Sequence, residues 1–442
     1  MRRIGLLLLS VFSAAAYAQA DEQQERKTAF SLKEAQEYAL KNGFTVQQKE
    51  IEYEKAQKTI AETRAIGLPQ VSAGFDWTNN LQLQKQPLPE DLGGGFVAFG
   101  TKYQNVASIS ANQLIFDGSY FVALQASKVV KRGTRYDVEI SEIDIKRDVA
   151  QAYYGVLVTE ETIDIIKENL ESLQKNFEET RALYDNGFVE EQDADQLELL
   201  VRGLENNLNR TQRQYAIAKM LLNFNMGRYV ETEIELTDEI EDLMVTEEVI
   251  QENAFSLDAN VNFKYVQTVE QGAVLSVKNE KWTYAPKVSF FARHGQANFQ
   301  NTFDDVWSFN QYWVPNSSIG LSLQWNILEG LRRPATVEKA KLDLEKARLN
   351  RRQVGNQLTY QYEQAKAEYE YAFDNYNIEK RNVELSKSIR DKMRVKYQEG
   401  IASSLDLTQA ENQYFDVQRN YLNALQNLLN AKENLDAAIG QP

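Results

Sequence analysis

The side chains on which most enzymatic chemistry depends are nearly absent from this chain of 442 residues. There is no cysteine, which excludes a disulfide framework, a thiolate metal site and a cysteine nucleophile. His294 is the single histidine, which makes a histidine metal site or a Ser-His-Asp triad implausible. We therefore predict a protein that is not an enzyme and that uses no metal and no cofactor.

A tyrosine, a glycine and an aspartate recur with one spacing in two stretches, "YDNGFVEEQDADQLE" and "YQEGIASSLDLTQAE". Each residue lies 213 positions from its counterpart, as position 184 does from 397. Glycine in such a place predicts a backbone with positive φ that ends a helix. An aspartate early in the next helix predicts stabilisation of that helix's N-terminus by a carboxylate. The residues that share this pattern are Tyr184, Gly187, Asp193, Tyr397, Gly400 and Asp406.

The positions of the seven prolines allow very long helices on either side of these turns. None lies in the ranges 90–285 and 335–441. Because proline breaks helix interiors, both ranges can hold long helices, and the strong helix formers Ala, Leu, Glu, Gln, Lys and Arg dominate them. A heptad seam at 407–438, repeated at 194–225, predicts coiled-coil packing.

The zones around the prolines have a different period. Apolar residues alternate with small or polar ones in "PQVSAGFDWTNNLQL" from Pro69 and in "SIGLSLQW" up to Trp325. "NVASISANQLIF", ending at Phe116, alternates as well, and "PKVSFFARHG" from Pro286 does so less regularly. This period of two predicts β-strands with one apolar and one polar face. All five tryptophans lie in these zones.

The two halves of the chain match along their length. "PQVS" from Pro69 corresponds to "PKVS" from Pro286, and "IFDG" from Ile115 corresponds to "ILEG" from Ile327. We predict one unit duplicated in tandem, each copy being helix, β-hairpin, long helix, turn and helix. The predicted boundaries are a signal peptide at 1–20; a first repeat at 21–227 with a hairpin at about 69–117 and helices at about 119–183 and 190–226; an acidic linker at 228–246; and a second repeat at 247–442 with a hairpin at about 286–329 and helices at about 331–396 and 403–439.

The first twenty residues, "MRRIGLLLLSVFSAAAYAQA", have the pattern of a secretory signal peptide, with cleavage expected after Ala20 or Ala18. Their apolar run is too short to span a bilayer, and no later segment has about 18 uninterrupted apolar residues. We expect an exported protein without a lipid-anchored cysteine, which meets a membrane as a β-barrel or at its surface. The formal net charge of -15 argues against nucleic acid as a partner.

Lengths and strand numbers constrain the architecture. Each long helix of about 65 residues would span roughly 98 Å, so the two turns are expected about 100 Å from the strands. The two hairpins supply four strands, which cannot close a membrane barrel. Because an open sheet edge cannot face lipid, identical copies are expected to pool their strands. Three copies give twelve strands, whereas two give eight and a filled interior.

The whole pattern resembles the TolC-like family of outer membrane efflux proteins. The resemblance is carried by the signal peptide, "GLPQVS" from Gly67, "QLIFDG" from Gln113, "WNILEG" from Trp325 and the two turns. It implies a mainly α-helical homotrimer with a twelve-stranded β-barrel in the bacterial outer membrane and a coiled-coil α-helical barrel in the periplasm. It also implies a passive exit duct whose partners are a periplasmic adaptor protein, an inner-membrane pump of RND or ABC type, and outer membrane lipid.

The same resemblance assigns roles to the two turns. It implies that both form the surface gripped by adaptor hairpins, and that acidic residues of the second turn line a constriction that closes the resting channel. In a trimer Asp406 would form a ring of three carboxylates that attracts cations. The family's best-known pattern has a basic residue where this chain has Ala402, and a second acid where it has Gln409. We hypothesise a less charged gate at Asp406 and Gln409.

Two other functions remain open at this point. The exit duct of a type I protein secretion system has the same sequence features as an efflux duct. A soluble periplasmic coiled-coil adaptor or structural protein would explain the heptad seams and the export signal. It would not explain paired alternating hairpins that hold all the tryptophans, so we predict an efflux duct.

Overall fold

The computed structural model describes residues 28–243, 255–306 and 312–441, so the predicted signal peptide lies outside the described residues. These residues form two compact units. A helical unit contains the described parts of 1–52, 135–265 and 352–442, and a sheet unit contains those of 53–134 and 266–351. The two longest helices contribute residues to both units.

Helices make up most of the described chain, and their lengths repeat between its halves. The helices are α1 (Leu32–Asn42), α2 (Phe44–Ala65), α3 (Gly118–Asp185), α4 (Glu191–Met226), α5 (Val261–Trp282), α6 (Arg332–Gln398) and α7 (Ser404–Ile439). The strands are β1 (Ala29–Phe30), β2 (Gln70–Asn79), β3 (Lys85–Pro87), β4 (Phe96–Ala98), β5 (Tyr103–Phe116), β6 (Glu235–Leu236), β7 (Lys287–Gln300) and β8 (Val314–Gln324). Helices α3 and α6 have 68 and 67 residues, and α4 and α7 have 36 each.

The long helices follow from what their sequences contain and lack. Helix α3 has no proline, and the one proline of α6, Pro334, is its third residue. In a first helical turn proline is tolerated, because its missing N–H would have no partner there. Across the described ranges, no helix combines the length and the apolar character needed to cross a membrane.

One antiparallel sheet forms the centre of the sheet unit, with the strand order β2-β5-β7-β8. The two hairpins expected from the sequence are β2 with β5 and β7 with β8, and a long pairing of β5 with β7 joins them. The two faces of this sheet differ, as the alternation of apolar and polar residues in the sequence predicted. One row across the strands is apolar, and the next row is polar with its side chains on the opposite face. The apolar row is Val71, Ala111, Ala292 and Ile319, and the polar row is Ser72, Ser110, Arg293 and Ser318.

The segment between β2 and β5 is more ordered than its loop-like sequence indicated. Strands β3 and β4 pair in antiparallel fashion, with Lys85 opposite Ala98. Between them Gly93, Gly94 and Gly95 all have positive φ, at 99°, 59° and 96°. Three residues in this conformation reverse the chain direction, which other residue types would do only with strain.

The core of the helical unit is centred on two tyrosines of α3. Tyr153 and Tyr154 are fully buried and pack with Leu222 of α4 and Leu425 of α7. The Tyr154 hydroxyl donates to Glu433 Oε1 at 2.8 Å, so its polar end has a partner within the core. Buried hydroxyls require such partners, because an unpaired one loses its hydration without compensation.

The acidic stretch predicted as a linker at 228–246 lies partly against this core. Strand β6 pairs in parallel with β1, and Ile234 before it is buried. Asp238 Oδ2 accepts a hydrogen bond from the Leu32 amide at 2.7 Å and lies 3.1 Å from the Tyr153 hydroxyl. Strands of two residues have no periodicity to recognise, which is why the sequence did not indicate them.

Candidate functional site

The two repeated turns begin where α3 and α6 end, and both ends have the same geometry. Gly187 has φ 78° and Gly400 has φ 70°, in the left-handed region that the sequence predicted for them. The Phe188 amide donates to the Leu183 carbonyl at 2.9 Å, and the Ile401 amide to the Lys396 carbonyl at 2.8 Å. These are the six-to-one hydrogen bonds of Schellman motifs, which satisfy carbonyls that a helix end leaves unpaired.

The following helices begin with capping boxes built on the two aspartates. Asp406 Oδ2 accepts hydrogen bonds from Ser403, at 2.7 Å from its hydroxyl and 3.0 Å from its amide. These two hydrogen bonds hold the pKa of Asp406 below its ordinary value. At the first turn, Asp193 Oδ2 accepts from the Glu190 amide at 3.2 Å. Both aspartates therefore stabilise a helix start, which is the structural role expected for them.

The two turns also contact each other. The Ser404 hydroxyl donates to Asp193 Oδ1 and lies 3.5 Å from Gln196 Oε1. Tyr397 joins α6 to α3, since its hydroxyl lies 3.2 Å from Thr180 Oγ1. A single aspartate thus caps one helix and binds the start of another. The structure brings three of the predicted residues, Asp193, Tyr397 and Gly400, to the lining of one recess.

A recess of about 460 Å³ lies between the turns, and its walls include the Tyr397 ring, Val189 and Ala402. Around it are apolar side chains that solvent reaches: Phe188 is 77% exposed and Ile401 is 75% exposed. Phe188 and Ile401 occupy the same repeat position, directly after the glycine. Neither residue was predicted from the sequence, although their shared position after the glycine was the signal that would have identified them.

A buried ionic cluster lies beyond the second turn, and it was not predicted from the sequence either. The Glu411 carboxylate lies 3.8 Å from Arg390 Nη1 and 3.4 Å from Arg394 Nη2. Arg394 also donates to Ser172 Oγ at 2.7 Å, and the Arg390 guanidinium lies 4.4 Å from the centre of the Tyr414 ring. Burial raises the pKa of Glu411, and the two arginines only partly offset that rise.

The proposed gate residues do not share that environment. Asp406 and Gln409 are both exposed, three positions apart on one face of α7. Tyr184 of the first turn lies under the Arg181 guanidinium, at 5.1 Å from its ring centre, whereas its counterpart Tyr397 binds Thr180. The duplicated sequence pattern therefore gives two turns of one backbone geometry with different side-chain contacts.

In the described ranges no three histidine, cysteine or acidic residues are placed to hold a metal ion. His294 lies in β7, with Nδ1 at 2.7 Å from Ser317 Oγ of β8. This is an ordinary cross-strand contact of the sheet.

Comparison with models of protein families assigns the sequence to one family. The model described as "Outer membrane efflux protein" matches residues 36–228 and 277–441. Those two ranges include both turns, both long helices and all four strands of the main sheet, β2, β5, β7 and β8. A comparison with curated proteins finds no match.

Solved structures of outer membrane channels share the fold. CusC, whose crystal structures address transmembrane channel formation, aligns with a TM-score of 0.75 and 15% identity over 93% of this chain and 92% of its own. VceC of Vibrio cholerae gives 0.70 and 16%, over 93% and 96% of the two chains. The open-state MtrE outer membrane channel of Neisseria gonorrhoeae gives 0.74 and 14%, over 93% and 89%.

Proposed function

The chain belongs to the outer membrane efflux protein family, and we propose that it is the exit duct of a tripartite efflux pump. The family consists of outer membrane channels and is not a family of enzymes. In this proposal a homotrimer receives small toxic compounds or drugs from an inner-membrane pump of RND or ABC type. A periplasmic adaptor protein couples the two, and the compounds leave passively through the duct.

The observation that carries the proposal is the sheet, whose apolar face is exposed in the single chain. Val71 on β2 is 70% exposed, and Ile319 and Leu321 on β8 are 78% and 71% exposed. Strands β2 and β8 stand at the two ends of the strand order. Lipid can cover such a face but cannot satisfy an open strand edge. Further strands from identical copies complete the sheet in the proposal, and three copies supply twelve.

The two turns are proposed as the surface that the adaptor contacts. The residues assigned to it are Tyr184, Gly187, Asp193, Tyr397, Gly400 and Asp406. Their Schellman motifs fix the backbone, and exposed Phe188 and Ile401 offer apolar contacts beside a recess. Exposed apolar side chains on a rigid backbone suit a protein partner, because little entropy is lost on binding.

The resting gate is proposed at Asp406 and Gln409. Both side chains are exposed, and the pKa of Asp406 is lowered, so the carboxylate carries its charge at neutral pH. Three such carboxylates in a trimer would attract cations. Ala402 and Gln409 add no charge, so this gate depends on a single ring.

The proposal is tested in bacteria that lack their own efflux exit duct and express this chain with an adaptor and a pump. We expect heat-modifiable trimers in the outer membrane fraction, co-purification with the adaptor, and lower accumulation of a fluorescent pump substrate. Monomers confined to the soluble periplasmic fraction would overturn the proposal. Export of a polypeptide without any change in dye accumulation would instead indicate a type I secretion duct.

A further inference from the structure

The polar face of the sheet has a feature that the proposed duct does not require. A recess of about 350 Å³ lies over β7, between β5 and β8. All of its lining belongs to the sheet unit, and hydroxyl groups dominate it. The lining residues are Ser110, Asn112, Ser289, Phe291, Ala292, Arg293, Ser318 and Ser322.

Arg293 is the one charged residue of this lining, and serines flank it. In the strand register it is opposite Ser110 on β5 and Ser318 on β8. Directly opposite side chains in antiparallel strands have Cβ atoms about 5 Å apart, so hydroxyls from both neighbouring strands surround the arginine. Within the described residues, the guanidinium forms no salt bridge.

Acidic residues on this face lie too far away to neutralise Arg293. Asp76 is four residues beyond Ser72, the β2 residue in the same row as Arg293, which is roughly 13 Å along the strand direction. Asp117 already pairs with Lys287, the other cation of this face of β7, at 3.3 Å. Arg293 therefore has a full positive charge and five N–H donors without a protein carboxylate.

Phe291 gives the recess an apolar wall. Its ring lies against β8 at Gly320, where a built Cβ would be 2.8 Å from the Phe291 Cζ atom. Any larger residue at 320 would displace the ring. The recess thus combines a guanidinium, several hydroxyls and one aromatic ring, which together suit a small organic anion.

We propose that the Arg293 recess binds the carboxylate or other oxyanion group of a small solute. Guanidinium binds such groups with two parallel hydrogen bonds, and the serine hydroxyls and the Asn112 amide supply further donors. Phe291 favours an aromatic carboxylate over an aliphatic one. The consequence for transport rests on the proposed function: if three chains form a duct with this face inward, the recess gives that part of the wall a preference for anions.

Binding is measured on the full-length protein in detergent by equilibrium dialysis with radiolabelled sulfate, with acetate and benzoate as competitors. We expect R293Q to weaken sulfate binding by about tenfold or more, as expected for loss of a charged hydrogen-bonding group. R293K keeps the positive charge but cannot donate two parallel hydrogen bonds as a guanidinium does, so an intermediate loss of sulfate affinity is expected. The matched control, K85Q, removes an exposed cation of β3 outside the recess and should leave binding unchanged.

The competitors identify the source of the anion. Stronger displacement of sulfate by benzoate than by acetate supports an organic carboxylate held against Phe291, and equal displacement supports a site for inorganic anions. Absence of sulfate binding to the wild type, or equal sulfate binding to R293Q, overturns the proposal.

Reversal potentials in planar bilayers separate this proposal from the proposed duct. We expect R293Q to lower the chloride-to-potassium permeability ratio and K85Q to leave it unchanged. If the wild type binds sulfate through Arg293 but conducts no current, the duct fails and the anion site stands. If channels form while neither binding nor selectivity responds to R293Q, the anion site fails and the duct stands.

Discussion

Two carboxylates near the second turn, Asp406 and Glu411, lie five positions apart and have opposite surroundings. Asp406 is exposed, and hydrogen bonds from Ser403 lower its pKa. Glu411 is buried, and desolvation raises its pKa although two arginines lie close to it. Because hydrogen bonding favours the charged form and burial disfavours it, the contributions of the two groups to folding stability change with pH in opposite directions.

Asp406→Asn tests the proposed gate with little change to the capping box, because asparagine retains an acceptor oxygen. We expect a larger resting conductance and severalfold weaker block by multivalent cations in planar bilayers, since the ring of charge is removed. The control is Asp416→Asn, an exposed acid of the same helix that pairs with Arg419 at 2.9 Å. Conductance and block equal to wild type in Asp406→Asn would rule out the carboxylate gate.

The capping box of Asp406 should depend on pH in the direction set by its lowered pKa. A carboxylate with a lowered pKa contributes stability above its unfolded-state pKa, and that contribution is lost as pH falls through the folded-state value. We expect acidification to destabilise the wild type at the second turn more than Asp406→Asn. Hydrogen exchange of the first α7 amides against pH measures this, and identical profiles for the two proteins would contradict it.

Glu411→Gln should change the pH dependence of stability in the opposite direction to Asp406→Asn. A carboxyl whose pKa is raised stabilises the fold below its unfolded-state pKa, and this contribution is lost as pH rises through the folded-state value. The stability of Glu411→Gln relative to wild type is therefore expected to improve between about pH 4.5 and 7, since glutamine does not ionise. Thermal unfolding of both proteins in detergent across that range measures the difference, and a constant offset would show that Glu411 does not titrate there.

At the scale of elements, helix ends and helix faces carry different amounts of sequence information. The ends of α3 and α6 were predictable, because glycine is the residue that adopts positive φ without strain. The buried face of α7 is wider than a heptad seam alone predicts. It includes Leu407 and Tyr414, seven positions apart, and also Gln418, Leu422 and Leu425. A helix that packs against several neighbours buries more than the two rows of a simple coiled coil.

Gly400→Ala tests the helix end at the second turn. Nothing lies within 4 Å of a built Cβ, so the cost is conformational, and we expect a loss of about 1 kcal/mol in stability. Adaptor co-purification should fall with it. Gly203→Ala is the matched control, because Gly203 lies inside α4 with equally open space around it. Alanine there should be neutral or stabilising by up to about 1 kcal/mol, since it favours helix. Equal stability losses in both variants would contradict the assignment.

At the scale of the whole molecule, the exposed apolar face and the open edges of the sheet support the proposal that several copies of the chain complete one sheet. The pairing of β5 with β7 joins strands from the two repeats, so both halves of the chain contribute to one surface. A four-stranded sheet with one apolar face is unstable alone in lipid, because its edges are unpaired, and in water, because its apolar face is exposed. Self-assembly and membrane insertion are therefore expected to depend on the same residues.

Leu321→Arg tests that dependence. An arginine on a lipid-facing strand position costs about 2–4 kcal/mol near the bilayer midplane, so we expect less heat-stable trimer and less protein in the outer membrane fraction. Asn316→Arg is the matched control, because Asn316 lies on the opposite, polar face of the same strand. If both variants insert and assemble like the wild type, the apolar face is not in contact with lipid.

The sequence by itself determined the local structure, namely the helices, the strands and the turns, because these depend on neighbouring residues. Proline-free stretches of helix formers predicted the long helices, alternation predicted the strands, and the two turns were recognisable from a glycine at a fixed distance from an aspartate. The tertiary structure decided which groups meet: β5 with β7, β1 with β6, Ser404 with Asp193, and, on neighbouring helices, Glu411 with two arginines. Local periodicity and propensity are properties of adjacent residues, whereas strand partners and the desolvation of a carboxylate depend on which other segments of the chain pack against them.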